Sequence, residues 1–293
     1  MQEYRSYSQY FDCGPQRGYV DRNSLCGIAE ITLSRLSKNP PGEHSSPQLP
    51  EMLLIISGSG SYGMSYDLGL GWRHDRFRPG DLLLAPPNVR NQYHTDTSTN
   101  FQTIALPVDF VTECLHELGC EADCDLGVLH DYKFRDATIE RHALAMFAAA
   151  NSPNRGDAIL IDQGVVMLIE YLIDKAGYPR KRRREMRLDR AIVRQIYEYI
   201  ESNLQYEITL GDLASIAGFS IAHFARAFKL TVGKSPYAYV LAARIQRAKD
   251  ILHATEKPIA DVALDCGFSS QAHLTSLFAR LVGTTPGRFR KGD

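Results

Sequence analysis

The sequence predicts an α+β protein of two domains: a β-rich N-terminal half that ends in helices, and an all-α C-terminal half. Three observations predict this. The 293 residues amount to about two domains at roughly 150 residues each. Short apolar segments punctuated by turn residues give way to helical periodicity after about residue 108. The charge is also divided. Residues 1–177 carry 14 Lys+Arg and 23 Asp+Glu, a balance of −9, whereas residues 178–293 carry 19 and 11, a balance of +8. A split of this size between halves points to a polyanion as the partner of the basic half.

Composition excludes several classes. With 44% hydrophobic and 23% charged residues, the chain is neither disordered nor collagen-like, nor a disulfide scaffold. Apolar runs such as Met52–Ile56 and 158–161 fall far short of the ~18 residues that a membrane span requires. Met1-Gln2-Glu3-Tyr4-Arg5 has no apolar signal core, so a cytoplasmic location is expected, with no membrane partner and with the six scattered cysteines reduced.

Residues 25–36 alternate in part at strand period, and Pro40-Pro41-Gly42 ends them. Met52–Ile56 is an apolar run of strand length, and Tyr62, Met64, Tyr66 and Leu68 alternate with smaller or polar residues. Arg78-Pro79-Gly80-Asp81 reads as a type II turn. Leu82–Leu84 and Phe101–Leu106 complete a set of short strands that fits a β-sandwich or a small barrel. Residues 109–118, 137–150 and 157–176 are helix candidates. The last carries Ile159, Leu160, Val166, Met167, Ile169, Leu172 and Ile173 over more than one stripe, so it is expected to be covered on two sides, either by its own domain or at a homodimer seam.

Gly58-Ser-Gly60-Ser-Tyr-Gly63 matches a nucleotide-binding G-x-G-x-x-G. That motif requires a helix to open at the loop, and strand alternation with further glycines follows instead. A glycine-rich hairpin is the expected structure.

The second half contains a repeat. Residues 208–220 match 257–269 at an offset of 49, through Leu213-Ala214/Val262-Ala263 and Gly218-Phe219/Gly267-Phe268. From His223-Phe224/His273-Leu274 onward the offset is 50, through Phe228/Phe278, Gly233/Gly283, Ser235-Pro236/Thr285-Pro286 and Tyr239/Phe289. One residue inserted near Ser270 accounts for the step. Each copy reads as two helices around a glycine turn, which is a helix-turn-helix. Gly218 ends the first helix and Ser220 caps the second. Phe224 and Phe228, and in copy two Leu274 and Phe278, are expected in the core. Ala222, Ala225, Arg226 and Lys229 are expected on the opposite face of copy one, and Gln271, Ala272, Thr275 and Ser276 on that of copy two. A long helix over Tyr237–His253 joins the copies, and another over 188–203 precedes them, giving about seven helices between 188 and 290. The basic run Arg180-Lys181-Arg182-Arg183-Arg184 marks the boundary, either as a solvated linker or in contact with phosphate.

These residues resemble the AraC/XylS family of bacterial transcription regulators. The match is carried by Ser220-x3-Phe224-x-Arg226-x-Phe228-Lys229, Gly233-x-Ser235-Pro236-x2-Tyr239, Arg244-x3-Ala248, Ile259-x2-Val262-Ala263-x3-Gly267-Phe268 and Gly283-x-Thr285-Pro286-x2-Phe289-Arg290. His44, Pro79-Gly80-Asp81 and Pro86-Pro87 carry a weaker match to the family's sensor. The resemblance implies a cupin-like β-barrel with dimerisation helices over 1–177, a basic linker over 178–187, and a DNA-binding domain with two helix-turn-helix units over 188–293. It implies a regulator, more often an activator, that binds double-stranded operator or promoter DNA. A small-molecule effector, a second copy of the chain and, for an activator, RNA polymerase would be its other partners. Ala222, Ala225, Arg226 and Lys229 would read the first half-site. Gln271, Ala272, His273, Thr275 and Ser276 would read the second. Arg226 suits guanine and Gln271 adenine, and the alanines suit thymine methyls. Ser276 and Ala279 stand where the family usually has Arg and Lys, with Arg280 one residue away. His273 has a structural alternative, because His223 occupies the same place in copy one.

For an effector, His44, Tyr62, Tyr66, Trp72 and His94 are the candidate contacts in the first half, and they suit a sugar or an aromatic compound equally. The competing readings are a metal-dependent cupin enzyme with an appended DNA-binding domain, and a DNA-binding protein without an effector. His44, Glu51 and His94 are the nearest metal-ligand candidates, yet there is no H-x-H pair or 2-His-1-carboxylate spacing. Cys114 and Cys120-x3-Cys124 lack the further ligands of a compact zinc site. No catalytic residue and no cofactor is expected.

Overall fold

A computed structural model of the chain describes residues 4–27, 29–120, 124–150, 158–178 and 187–292. The basic run at 180–184 lies outside the described residues. The chain forms two compact units: Met1–Phe147 with Gly164–Arg183, and Ala148–Gln163 with Arg184–Asp293.

The first unit opens with helix α1 (Tyr7–Cys13), whose first turn is capped by the Ser6 side chain accepting from the Gln9 N–H. Nine strands follow among the described residues: β1 (Val20–Cys26), β2 (Ile31–Asn39), β3 (Gly42–Ser46), β4 (Glu51–Ser57), β5 (Tyr62–Asp67), β6 (Arg73–Phe77), β7 (Leu82–Ala85), β8 (Asn91–Thr95) and β9 (Thr99–Pro107). They form two antiparallel sheets in the orders β1-β2-β9-β4-β7 and β3-β8-β5-β6. The expected barrel is therefore not closed. Three of the four outer strands are polar, β1 (Val-Asp-Arg-Asn-Ser-Leu-Cys), β3 (Gly-Glu-His-Ser-Ser) and β6 (Arg-His-Asp-Arg-Phe), whereas the fourth, β7 (Leu-Leu-Leu-Ala), is buried and bridged to Phe134. Charged edge strands keep their unpaired backbone groups in water and resist further pairing.

Residues 25–36 are not one strand. The chain reverses between β1 and β2, with Gly27 at φ 68° and Glu30 at φ 51°. Nor is 58–63 a hairpin: β4 and β5 lie in different sheets. Its first glycine serves close backbone approach, since a Cβ on Gly58 would meet the Asn100 carbonyl oxygen at 2.6 Å, and Gly60 takes positive φ at 91°. A strand, not a helix, follows this loop. The turn at 78–81 forms as expected, with Gly80 at φ 82° and the Asp81 N–H donating to the Arg78 carbonyl at 3.0 Å.

The core lies between the sheets. Leu36, Leu53, Leu83, Phe101 and Ala105 from one sheet pack with Tyr62, Met64, Tyr66 and Phe77 from the other, and α1 adds Tyr7, Tyr10 and Phe11. Strand β5 alternates buried and part-buried residues, as a one-sided strand should. Strand β4 is buried on both faces, because Met52, Leu54 and Ile56 are covered as well. This accounts for its unbroken apolar run.

Helices α2 (Val108–Glu117), α3 (Ala137–Ala150) and α4 (Ala158–Ala176) follow. A Cβ on Gly164 would lie 2.7 Å from the Met146 side chain, and His142 stacks on Tyr171 at 5.2 Å, so α3 packs closely on α4. Ile159, Val166, Leu168, Ile169, Leu172 and Ile173 are buried within the single chain.

Asp81 ties the start of β7 to residues 133–135. It accepts from Arg135, from Lys133 and from the Arg78 N–H at 2.8 Å. Burial works against its charge, but these donors prevail and hold its carboxyl below the usual carboxylate range. A lowered folded pKa contributes stability above the unfolded value, near 3.8, and this contribution is lost as pH falls through the folded value. Urea unfolding from pH 7 down to pH 3 should show a loss of stability below about pH 4 that Asp81→Asn reduces. An unchanged acid limb in the variant would refute this role.

Among its described residues the second unit contains seven further helices: α5 (Arg190–Asn203), α6 (Leu210–Ala217), α7 (Ile221–Val232), α8 (Pro236–Ala254), α9 (Ile259–Asp265), α10 (Gln271–Val282) and α11 (Pro286–Lys291). It also includes residues 158–163 at the start of α4. There Asp162 accepts from the Leu210 N–H at 3.2 Å and Gln163 from the Tyr237 N–H at 3.1 Å. A carboxylate at a helix N-terminus meets otherwise unsatisfied amides and the positive end of the dipole.

Candidate nucleic-acid interface

The two helix pairs α6–α7 and α9–α10 are built from the same local parts. Gly218 at φ 66° and Gly267 at φ 74° stand at the turns. Ser220 accepts from the His223 N–H and Ser270 from the His273 N–H. Gly233 at φ 79° and Gly283 at φ 87° close the second helices in the left-handed region. Ser235 and Thr285 then cap helices that both begin with proline. Backbone donors at a helix start and carbonyls at its end require such partners.

The caps locate the inserted residue. Ser220 corresponds to Ser270, so the extra residue is Ser269. The insertion turns the following histidine. His223 stacks on Phe219 at 4.1 Å with the planes 9° apart, whereas His273 meets Phe268 edge-on at 5.6 Å and 87°. The His273 Nδ1 lies 2.7 Å from the Ser269 hydroxyl. Both histidines thus brace their turns, and the structural alternative for His273 is the one its contacts favour.

Leu213, Ala214, Ala217, Phe224 and Phe228 are buried in the first pair. In the second pair, Val262, Ala263, Phe268, Leu274 and Phe278 pack on Leu241, Ile245, Ala248 and Leu252 of α8. Among the residues expected on the outer faces, Lys229, Gln271, Ala272 and Ser276 are exposed, and Arg226 and Thr275 are half-buried. Ala222 and Ala225 are not on the open face. They are 2% and 9% exposed. A single methyl stands close to the helix axis, below its longer neighbours, and the Arg226 side chain folds back so that its Nε donates to the Ala222 carbonyl at 3.4 Å. Neither methyl is open to solvent. Thr275 also bonds its own helix, donating to the Gln271 carbonyl at 2.7 Å.

Sequence reasoning placed Arg244 only within a motif. It is 5% exposed, and its Nε and Nη2 donate to the Leu204 and Tyr206 carbonyls at 3.1 and 2.8 Å. These are the carbonyls at and just beyond the end of α5. The Arg244 guanidinium, on α8, also faces Gly267 in the turn of the second pair. One side chain therefore joins the end of α5 to the turn of the second pair. A charged residue at an apolar position of the long helix was the available signal.

A match to a known family lies in the same region. Residues 213–292 match the family described as Helix-turn-helix domain. The chain is 32% identical over 149 residues to the "Probable transcriptional regulator LumQ" of Photobacterium leiognathi, which is 51% of this chain and 59% of that protein. It is 32% identical over 100 residues to the "Transposon Tn10 TetD protein" of Escherichia coli, 34% of this chain and 72% of that protein. The chain belongs to the AraC/XylS family. Among solved structures, a "probable AraC family transcriptional regulator" from Rhodopseudomonas palustris CGA009 is 33% identical. That match covers 35% of this chain and 96% of that one, with a TM-score of 0.32. The chain spans 59%, 46% and 35% of the lengths of the first three curated relatives it matches.

In this AraC/XylS protein the candidate effector contacts in the first unit separate. Tyr62 and Tyr66 line a cavity between the sheets. Trp72 is 58% exposed and His94 is exposed. Neither lines that cavity. Trp72 lies in the loop before edge strand β6, and His94 follows Tyr93 on β8, so the strand alternation turns it outward. His44 also lies outside the lining, stacked on Tyr93 at 5.1 Å with its Nε2 2.8 Å from the Pro40 carbonyl. Glu51 accepts from the Tyr7 N–H at 2.5 Å. Among the described residues, no three His, Cys, Asp or Glu side chains converge as a metal site. The signal for the cavity's polar wall was present in β9, where Thr99, Phe101 and Thr103 share the buried phase.

Proposed function

We propose that the chain is a sequence-specific DNA-binding transcription regulator whose helices α7 and α10 enter successive major-groove segments about 34 Å apart. The observation that carries this reading is the duplicated helix-turn-helix, each copy with polar side chains on its outer face: exposed Lys229 and half-buried Arg226 on α7, and exposed Gln271 and Ser276 with half-buried Thr275 on α10. The +8 balance of residues 178–293 supports it, because neutralised phosphates supply most of the affinity for duplex DNA. Arg226 and Gln271 are the base readers, and Lys229 and Arg280 the phosphate contacts. In the full reading the protein acts as a homodimer and an activator, and a small molecule held between the sheets of the first unit sets its activity. A ligand achieves this only by binding one of two arrangements more tightly than the other.

Selection of duplexes from a random pool by the full chain tests the reading. Two short enriched elements one turn apart are expected. Salt-sensitive binding without enrichment would overturn it. Against the selected site, Arg226→Ala should weaken binding by about 1–3 kcal/mol and relax one base position. Unchanged affinity and specificity would remove Arg226 from the interface.

A further inference from the structure

Arg76 and Arg78 are exposed, and their guanidinium groups take no part in the ion pairs that Asp81 gathers. They line a depression on the first unit that has a volume of about 570 Å³ and opens to solvent. Lys133, Phe134, Arg135, Asp75 and Asp81 complete its wall, and it shares no residue with the cavity between the sheets. Residues 1–177 hold 14 Lys+Arg against 23 Asp+Glu, yet here four of those cations meet two carboxylates. Both carboxylates are engaged. Asp81 accepts from Lys133 and Arg135, and Asp75 accepts from the Tyr66 hydroxyl at 3.0 Å. Lys133 also donates to the Arg76 carbonyl, and Arg135 Nη2 to the Pro79 carbonyl at 3.0 Å, so these two cations are fixed by the fold. Arg76 Nε donates to the Ser61 hydroxyl at 3.1 Å. Among the described residues, no carboxylate pairs with Arg76 or Arg78.

This arrangement selects a ligand. The wall holds a surplus of two positive charges, and like charges gathered in a concave surface focus the field and concentrate anions there. Arg76 and Arg78 flank the buried Phe77 at the end of β6, so their side chains leave the strand on the side opposite it. A guanidinium meets a carboxylate or a phosphate through paired N–H donors. The matching anion carries about two negative charges, as a phosphate monoester does at pH 7 and as a dicarboxylate does. It is also compact. Screening confines the attraction to about 8–10 Å from the cations, and an extended nucleic acid or acidic chain would then lie against the rest of a unit whose residues 1–177 balance at −9. The Phe134 ring gives the wall an apolar surface for the carbon skeleton of the ligand.

We infer that this depression binds a compact organic dianion, with Arg76 and Arg78 as the direct contacts and with Lys133 and Arg135, held on Asp81, supplying the remaining charge. The shared chemistry is a small, doubly charged oxyanion, whether phosphate monoester or dicarboxylate. The inference does not rest on the DNA-binding reading and stands apart from the cavity between the sheets.

The test uses the full chain in calorimetry at pH 7 and low ionic strength. Glycerol 1-phosphate and glutarate are the dianionic probes, and butyrate is the monoanionic control. At least one dianion should bind, with butyrate about tenfold weaker or more, and the stronger of the two dianions identifies the head group. The double variant Arg76→Gln/Arg78→Gln should melt at the same temperature as the parent chain without ligand, since both side chains are exposed, and should bind the dianion about tenfold more weakly. Arg5→Gln/Arg17→Gln removes the same charge from exposed positions that do not line the depression, and should bind as the parent chain does. The bound dianion should raise the melting temperature of the parent and of this control, and not that of Arg76→Gln/Arg78→Gln. No binding by either dianion, binding unchanged in Arg76→Gln/Arg78→Gln, equal weakening in the two double variants, or butyrate as tight as the dianions would each overturn the inference.

Discussion

Gly267→Ala is expected to destabilise the second unit by about 3–5 kcal/mol, whereas Gly218→Ala, at the equivalent position of the other helix pair, costs about 1–2 kcal/mol. Both glycines adopt left-handed backbone, at φ 74° and 66°, so an alanine pays the same conformational penalty at either site. The surroundings differ. A Cβ on Gly218 meets nothing within 4 Å. A Cβ on Gly267 lies 2.1 Å from the Leu204 carbonyl oxygen and 2.9 Å from the Arg244 guanidinium. The first is backbone and cannot swing aside, so the α9–α10 turn must shift away from α5 and strain the Arg244–Leu204 hydrogen bond. Hydrogen exchange at the Leu274 and Phe278 amides, in the core of α10, measures the loss. Equal protection in the two variants would show that the turn yields at no cost.

Removing the Arg244 fork is the second large effect. Arg244→Met retains most of the stem's volume but leaves the Leu204 and Tyr206 carbonyls without their charged donors. A hydrogen bond to a charged group is worth about 1.5–3 kcal/mol, so the loss should reach about 2–4 kcal/mol. Arg244→Lys separates charge from geometry. An ammonium on a flexible stem does not reproduce the planar fork that meets two carbonyls at once, so lysine should recover about half of the loss. The guanidinium lies between the end of α5 and the Gly267 turn, so both variants should also lower operator affinity through the relative placement of α7 and α10, without a contact to DNA. Binding to a selected duplex and exchange of the Leu213 and Leu274 amides read the two consequences separately. Full stability of the lysine variant would show that charge alone suffices. Full operator affinity in the methionine variant would show that Arg244 does not set the helix spacing.

The helix pairs were legible in the sequence because the signals that build them are local. A glycine that must take positive φ, a serine or threonine that caps three residues ahead and a proline in a first helical turn act within one turn of chain. The long helices α5 and α8 were legible for the same reason, from their periodicity. The first unit was less so. Its polar edge strands β1, β3 and β6 carry little apolar alternation, because an edge facing water has no need of it. They were missed or merged; the strand pattern left a sandwich or a small barrel open, and the family resemblance alone implied the barrel.

By itself, then, the sequence determined the duplicated helix-turn-helix, the order of the two units and the β-rich character of the first. These rest on propensities and caps that neighbouring residues settle among themselves. The tertiary structure alone decided which side chains remain available. It buried Ala222 and Ala225 beneath longer neighbours, turned His273 onto Phe268 and Ser269, and left Trp72 and His94 outside the cavity. The physical reason is that exposure is a property of what packs alongside a residue. For Trp72 and His94 those neighbours come from strands distant in the chain, which the residue's own periodicity does not specify, and for His273 one inserted residue in its own turn decides them.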